Sequence, residues 1–192
     1  MIRAIIFDCF GVLTTDAWLP FKSQHFGNDA EAFEIASDLN RQSDAGFMSH
    51  QTFIDAIGKM TQMTGTEVND IISKHVPNHQ LFDYLKELKM DYKIGLLSNA
   101  SGDWLKELFK PEELELFDAV ALSYETHFTK PMAEAYQTIA DRLGMPLSDC
   151  VFIDDQERFV TGARDIGMSG IWYKDNEQCR ADLTQLLADT KA

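Results

Sequence analysis

Four polar clusters, each following an apolar run, carry the chemistry this chain could do. They are Asp8, Ser98-Asn99, Ser123 with Lys130 beyond it, and Asp154-Asp155. Asp8 ends the run Ile2–Phe7 and precedes a turn at Gly11. A carboxylate held there, partly out of water, can attack phosphorus or carbon and form a covalent intermediate; a turn or helix-capping aspartate is the alternative. Asp154-Asp155 sets two negative charges side by side after Val151-Phe152-Ile153. Such a pair is costly unless a cation or solvent compensates it. With Asp8 nearby it makes an oxygen-rich site suited to Mg²⁺; by itself it reads as a solvated acidic turn. Ser98 and Asn99 offer a hydroxyl, an amide and backbone N–H groups for a phosphate or carboxylate oxygen, or they simply cap a helix. Lys130, before Pro131, could balance a nucleophile and an anionic substrate, or be an ordinary surface lysine.

These residues need strands to present them. Ile2–Phe7, Lys93–Leu97, Ala119–Leu122, Val151–Ile153 and Gly170–Tyr173 are short apolar runs, which predict buried strands. Helical patterns lie between them: Gln80–Leu88, Asp103–Phe109 with Ser101 as N-cap, a helix opened by Pro131 and stopped at Gly144, Glu157–Ile166, and Asn176–Leu187. Alternation of this kind implies an α/β fold with a parallel sheet and right-handed crossovers. Ligands then sit outside the carboxyl ends of the strands, where all four clusters fall.

Residues 15–79 read differently. Apolar residues recur at helical spacing over Ala32–Leu39, Phe53–Met60 and Val68–Ile72. Ser49 is placed to cap the second helix, and Thr64 with Glu67 forms a capping-box pattern for the third. The stretch predicts an all-helical insertion that either closes over Asp8 or completes the core. The division expected is a core of 1–14 and 80–192 with a helical cap of 15–79.

Bulk properties narrow the partners. With 17 Lys+Arg against 31 Asp+Glu, the 192-residue chain carries a net charge of −14. That argues against nucleic acid or an anionic membrane, and requires a metal or a placed lysine for any anionic substrate. Three widely spaced cysteines, Cys9, Cys150 and Cys179, suit reduced thiols and a cytoplasmic setting. Arg3 and Asp8 interrupt the first apolar run, so no signal-peptide pattern is read there. Phe26, Trp18, Trp104 and Trp172 are expected in the core.

Asp8-Cys9-Phe10-Gly11-Val12-Leu13, Leu97-Ser98-Asn99, Lys130-Pro131 with Tyr136, and Val151-Phe152-Ile153-Asp154-Asp155 with Gly162-Ala163 resemble, in order, the four motifs of the haloacid dehalogenase superfamily. The helical insertion resembles the cap of its subfamily I. The resemblance implies a Rossmann-like three-layer core and a covalent aspartyl intermediate on Asp8. Ser98 and Asn99 would bind the transferred group, and Lys130 would stabilise it. Mg²⁺ would be held by Asp8, the backbone carbonyl of Phe10 and Asp155, with Asp154 in support.

Two positions depart from that pattern. Phosphatase members carry a second aspartate two residues after the nucleophile, to protonate the leaving group and activate water; Phe10 cannot transfer a proton. Phe159 stands where an Asp or Asn is frequent. Dehalogenases also lack the second aspartate, but they replace the acid pair with neutral residues. The chain is most similar to sugar-phosphate phosphatases with a non-acidic residue at the Phe10 position. The expectation is therefore a Mg²⁺-dependent phosphomonoesterase for a small phosphorylated metabolite. A metal-independent 2-haloacid dehalogenase and a non-catalytic binding protein are the alternatives. Arg41, Asp44 and His50 are the cap residues that could replace the missing acid.

Overall fold

The structure, a computed structural model, describes residues 1–189. Five parallel strands form one sheet: β1 (Ala4–Phe7), β2 (Lys93–Ser98), β3 (Ala119–Leu122), β4 (Cys150–Asp154) and β5 (Ser169–Trp172). Their spatial order is β3-β2-β1-β4-β5. The chain winds outward from β1 through β2 and β3, then returns to the other side of β1 for β4 and β5. The reversal leaves a crevice above the carboxyl ends of β1 and β4.

All four residues of β1 are buried, as its unbroken Ala-Ile-Ile-Phe requires of a central strand. Side-chain alternation divides them between two apolar clusters. Ile5 and Phe7 join Leu81, Leu85, Leu88 and Leu183 on one face. Ala4 and Ile6 join Tyr136, Ile139, Phe152 and Ala163 on the other. Helices therefore cover both faces, giving the three-layer α/β architecture.

The helices are α1 (Trp18–Phe26), α2 (Ala30–Asp44), α3 (His50–Thr61), α4 (Gly65–Ile72), α5 (His79–Leu88), α6 (Leu105–Leu108), α7 (Pro111–Leu114), α8 (Ser123–Thr126), α9 (Ala133–Leu143), α10 (Glu157–Asp165) and α11 (Asn176–Asp189). Helices α1–α4 share a third apolar cluster, built on Phe21, Ala36, Phe53, Ile54, Ile57 and Val68. Ser49 Oγ accepts from Thr52 N, and Thr64 with Glu67 closes a capping box, as their spacing predicts.

Several expectations are corrected. Helix α1 has no counterpart in the helical spacing; Pro20 interrupts its run, and it buries Phe21, Lys22 and Phe26 together. The helix expected over Asp103–Phe109 is only the single turn α6, without a side-chain cap. Ser101 is engaged by His50 Nδ1 instead, at 3.1 Å. Helix α9 starts at Ala133, so Pro131 lies outside its first turn. Trp104 and Trp172 keep over a third of their surface in solvent, whereas Phe26 is buried. Among the described residues no helix is long and apolar enough to cross a membrane.

Candidate active site

Strand register brings the acidic residues together. Phe7 and Ile153 are partners across the β1–β4 pair, so the next residues, Asp8 and Asp154, emerge side by side. They share the alternation phase of Ile6 and Phe152, and so face the α9 layer. Asp8 N donates to the Ile153 carbonyl at 2.9 Å, which extends the ladder one step. Asp155, one residue on, takes the opposite phase and turns beneath Gly11.

Lys130 approaches from the segment ahead of α9. Its Nζ donates to Asp8 Oδ1 and to Asp154 Oδ2, both at 2.6 Å. All three side chains are at least 95% buried. The lysine backbone is fixed by one residue: Lys130 N donates to Asn99 Oδ1 at 2.8 Å, and Asn99 Nδ2 donates back to the Lys130 carbonyl at 3.2 Å. Its ammonium lies 5.1 Å from the Phe152 ring centre and 5.0 Å from that of Phe159. Phe159 thus forms an apolar wall of the lysine pocket. Tyr136 clamps the same turn by donating to the Phe159 carbonyl at 2.7 Å.

Asp154 is fully committed, with its second oxygen accepting from Gln156 N at 2.8 Å. Asp155 is not: its Oδ1 is buried and has no hydrogen-bond partner. One carboxylate oxygen from each of Asp8, Asp154 and Asp155 lies within 4.8 Å of the others. An orphaned buried oxygen beside two more carboxylates, against a single ammonium, fits a hard divalent cation. Gly11 makes the approach possible. Its φ is +93°, and a Cβ there would stand 2.4 Å from Asp155 Oδ2. Gly11→Ala is expected to cost about 1–3 kcal/mol of stability through backbone strain and that clash, measured by urea denaturation.

Burial is the first influence on Asp8, Asp155 and Lys130. It pushes Asp8 well above the usual carboxylate range; the Lys130 ammonium opposes the shift, and the Asp154 charge adds to it. Burial and then Asp154 raise Asp155 to about 7. For Lys130 burial disfavours the ammonium, but the charges of Asp154 and Asp8 outweigh it and raise the pKa.

A cavity of about 600 Å³ opens above Asp8 and Lys130. Its far wall comes from α1–α3 and includes Trp18, Phe33 and Phe53. Lys22 contributes a cation there, 4.1 Å above the Phe33 ring and bonded to Ser37 Oγ at 2.9 Å. Phe10 lines the cavity too, its ring 5.0 Å from His75. Among the polar residues singled out in the sequence, Asp8, Lys130 and Asp154 meet directly. Asn99 also lines the cavity, but its amide is spent on the Lys130 backbone. Ser98 is buried and makes one long bond, 3.4 Å, to the Asn99 carbonyl. Ser123 serves elsewhere: its hydroxyl accepts from Ala100 N at 3.0 Å and donates to the Asp44 carbonyl. The bracing of Lys130 by Asn99 carried no signal in the chain. Asp16 lines the cavity and accepts from Trp18 N and Leu19 N, a role its place just ahead of α1 could have suggested.

The chain is similar to several known proteins. The chain is 35% identical to a phosphatase of Mycobacterium tuberculosis over 102 residues, which is 52% of this chain and 47% of that protein. It is 24% identical to a drimenol cyclase of Aspergillus calidoustus over 97% of this chain and 37% of that one. The chain therefore spans less than half the length of these curated relatives. A HAD family enzyme from Bacteroides thetaiotaomicron, solved with magnesium and inorganic phosphate, is 26% identical, with a TM-score of 0.71 over 91% of this chain and 95% of that one. The model described as haloacid dehalogenase-like hydrolase matches residues 2–167. The strand that leads to Asp8, the buried Lys130 and the paired acids Asp154 and Asp155 all fall within that span, and the chain belongs to the haloacid dehalogenase-like hydrolase family.

Proposed function

We propose that this chain is a Mg²⁺-dependent phosphomonoester hydrolase for a small phosphorylated metabolite such as a sugar phosphate. The observation that carries this reading is the buried Asp8–Lys130–Asp154 array with the unpartnered Asp155 oxygen beside it. Asp8 uses one oxygen on Lys130, which leaves the other for attack on phosphorus. The bond from phosphorus to the leaving oxygen breaks as the Asp8–phosphorus bond forms, and water then releases phosphate from Asp8.

Lys130 holds Asp8 in line and faces the negative charge of the transferred group. The Ser98 hydroxyl, held only by a long bond, is free to turn toward a phosphoryl oxygen; the Asn99 segment supplies further donors. Asp8, the Phe10 carbonyl and Asp155 would hold Mg²⁺, with Asp154 fixing the lysine between them. The ion, when bound, offsets the charge of the acidic cluster and of the phosphoryl oxygens. The phosphatase among the relatives and the magnesium–phosphate complex of the Bacteroides enzyme support this reading. Dehalogenation is the weaker fit, because three carboxylates against one ammonium repel a halocarboxylate.

Phosphate release from p-nitrophenyl phosphate and a panel of sugar phosphates tests the proposal. Turnover with Mg²⁺ that EDTA abolishes and added Mg²⁺ restores is the expected result. Chloride release from 2-chloropropionate without metal, or no turnover by the folded protein, would contradict it.

A further inference from the structure

A phosphatase of this design lacks a proton donor at Phe10. Asp16, Arg41, Asp44 and His50 are among the polar side chains that line the same cavity as Asp8. Two of them are already paired, and a third serves as a helix start. Arg41 is exposed and paired with Asp38 at 2.6 Å. Both ring nitrogens of His50 are bonded, to Ser101 Oγ and to Asn69 Oδ1. One oxygen of Asp16 takes two backbone N–H groups at the start of α1.

Asp44 differs. Among the described residues its one side-chain bond is from Asn40 Nδ2 to Oδ2, at 2.8 Å. It is the last residue of α2, and this end of the helix is tied to the core. Ser123 Oγ donates to its carbonyl, and His127 Nδ1 donates to the next carbonyl, Ala45, at 2.8 Å. Gly46, with φ +72°, lets the turn pack onto Tyr124, where a Cβ would meet the Tyr124 carbonyl at 2.5 Å. The backbone that carries Asp44 is therefore fixed to the core.

Resting on the phosphomonoesterase reading, we infer that Asp44 is the general acid and base of this site, in place of the missing second aspartate. Asp44 as the acid gives its proton to the ester oxygen while the bond from that oxygen to phosphorus breaks and the Asp8–phosphorus bond forms. The alcohol leaves. The Asp44 carboxylate next takes a proton from water as the water oxygen attacks phosphorus and the Asp8–phosphorus bond breaks. The proton returns to Asp44 and inorganic phosphate departs, so the cycle closes with no other reactant. Burial pushes the Asp44 carboxyl up to about 7, against the Asn40 bond, with Asp16 raising it further and Lys130 lowering it. That range suits a group that must both give and accept a proton near neutrality.

The test is the leaving-group dependence of kcat/KM, which reports phosphoryl transfer to the enzyme. Asp44→Asn keeps the shape and can still accept from Asn40. On phenyl phosphate, whose leaving oxygen needs a proton, kcat/KM should fall ~10²-fold or more. On p-nitrophenyl phosphate, whose leaving group departs as the anion, the fall should stay below ~10-fold. Urea denaturation of the same preparations confirms that the variant is folded. An equal loss on both substrates, or the leaving-group effect appearing in Asp16→Asn instead, would overturn the assignment to Asp44 alone. A wild-type protein inactive on both substrates would overturn the phosphatase reading beneath it.

Discussion

Asp8→Asn is expected to lower phosphatase turnover by ~10⁴-fold or more, because removing a covalent nucleophile disables the remaining machinery with it. The fold should survive. Asparagine preserves the shape of the side chain, and Lys130 keeps its 2.6 Å bond to Asp154. Burial already disfavours the Asp8 charge, so losing that charge removes a penalty along with an ion pair. Urea denaturation should place the variant within about 1 kcal/mol of the parent. A variant that keeps full activity, or one that loses activity only because it unfolds, would remove Asp8 from its role.

Lys130→Met should be the most destabilising single change at the site. It leaves Asp8 and Asp154 buried side by side without a counter-charge. Breaking a buried pair from one side costs about 3–5 kcal/mol, since the desolvated charge that remains is uncompensated. Activity should disappear as well. The destabilisation has its own control: Lys130→Met combined with Asp154→Asn removes one orphaned charge and should be more stable than Lys130→Met alone. Additive losses in the double variant would mean that the lysine acts through packing on Phe152 and Phe159 rather than through charge.

How much of this could be read from the chain depends on the range of each interaction. The strands were legible because a run such as Ala-Ile-Ile-Phe has one comfortable place, inside a parallel sheet. Asp8 and Asp154 stood out because each ends such a run. Their adjacency was not legible, since it depends on Phe7 pairing with Ile153, and register across a crossover leaves no local mark. Lys130 lies 122 residues from Asp8 and has nothing in its neighbourhood to distinguish it from a solvated lysine. Only its order among the other motifs pointed to the site.

Local rules failed where tertiary contacts overrode them. Helix α1 has Pro20 in its first turn and no clean apolar stripe, and it is held by packing against Phe53 and its neighbours. Ser101 looked like a cap but pairs with His50 of α3. Phe159 looked like the loss of a polar residue, and the structure shows what it does: its ring walls in the ammonium of Lys130. Asp44 was one polar loop candidate among three until the bonds of Arg41 and His50 separated it from them.

The central claim is that phosphate passes through Asp8. Mixing the Mg²⁺-loaded enzyme with a phosphomonoester it hydrolyses, quenching in acid and mapping peptides by mass spectrometry tests that directly. The peptide containing Asp8 should gain the mass of one phosphoryl group at that residue, and the adduct should be absent from Asp8→Asn. A phosphoryl group on another residue, or full turnover by Asp8→Asn, would contradict the account.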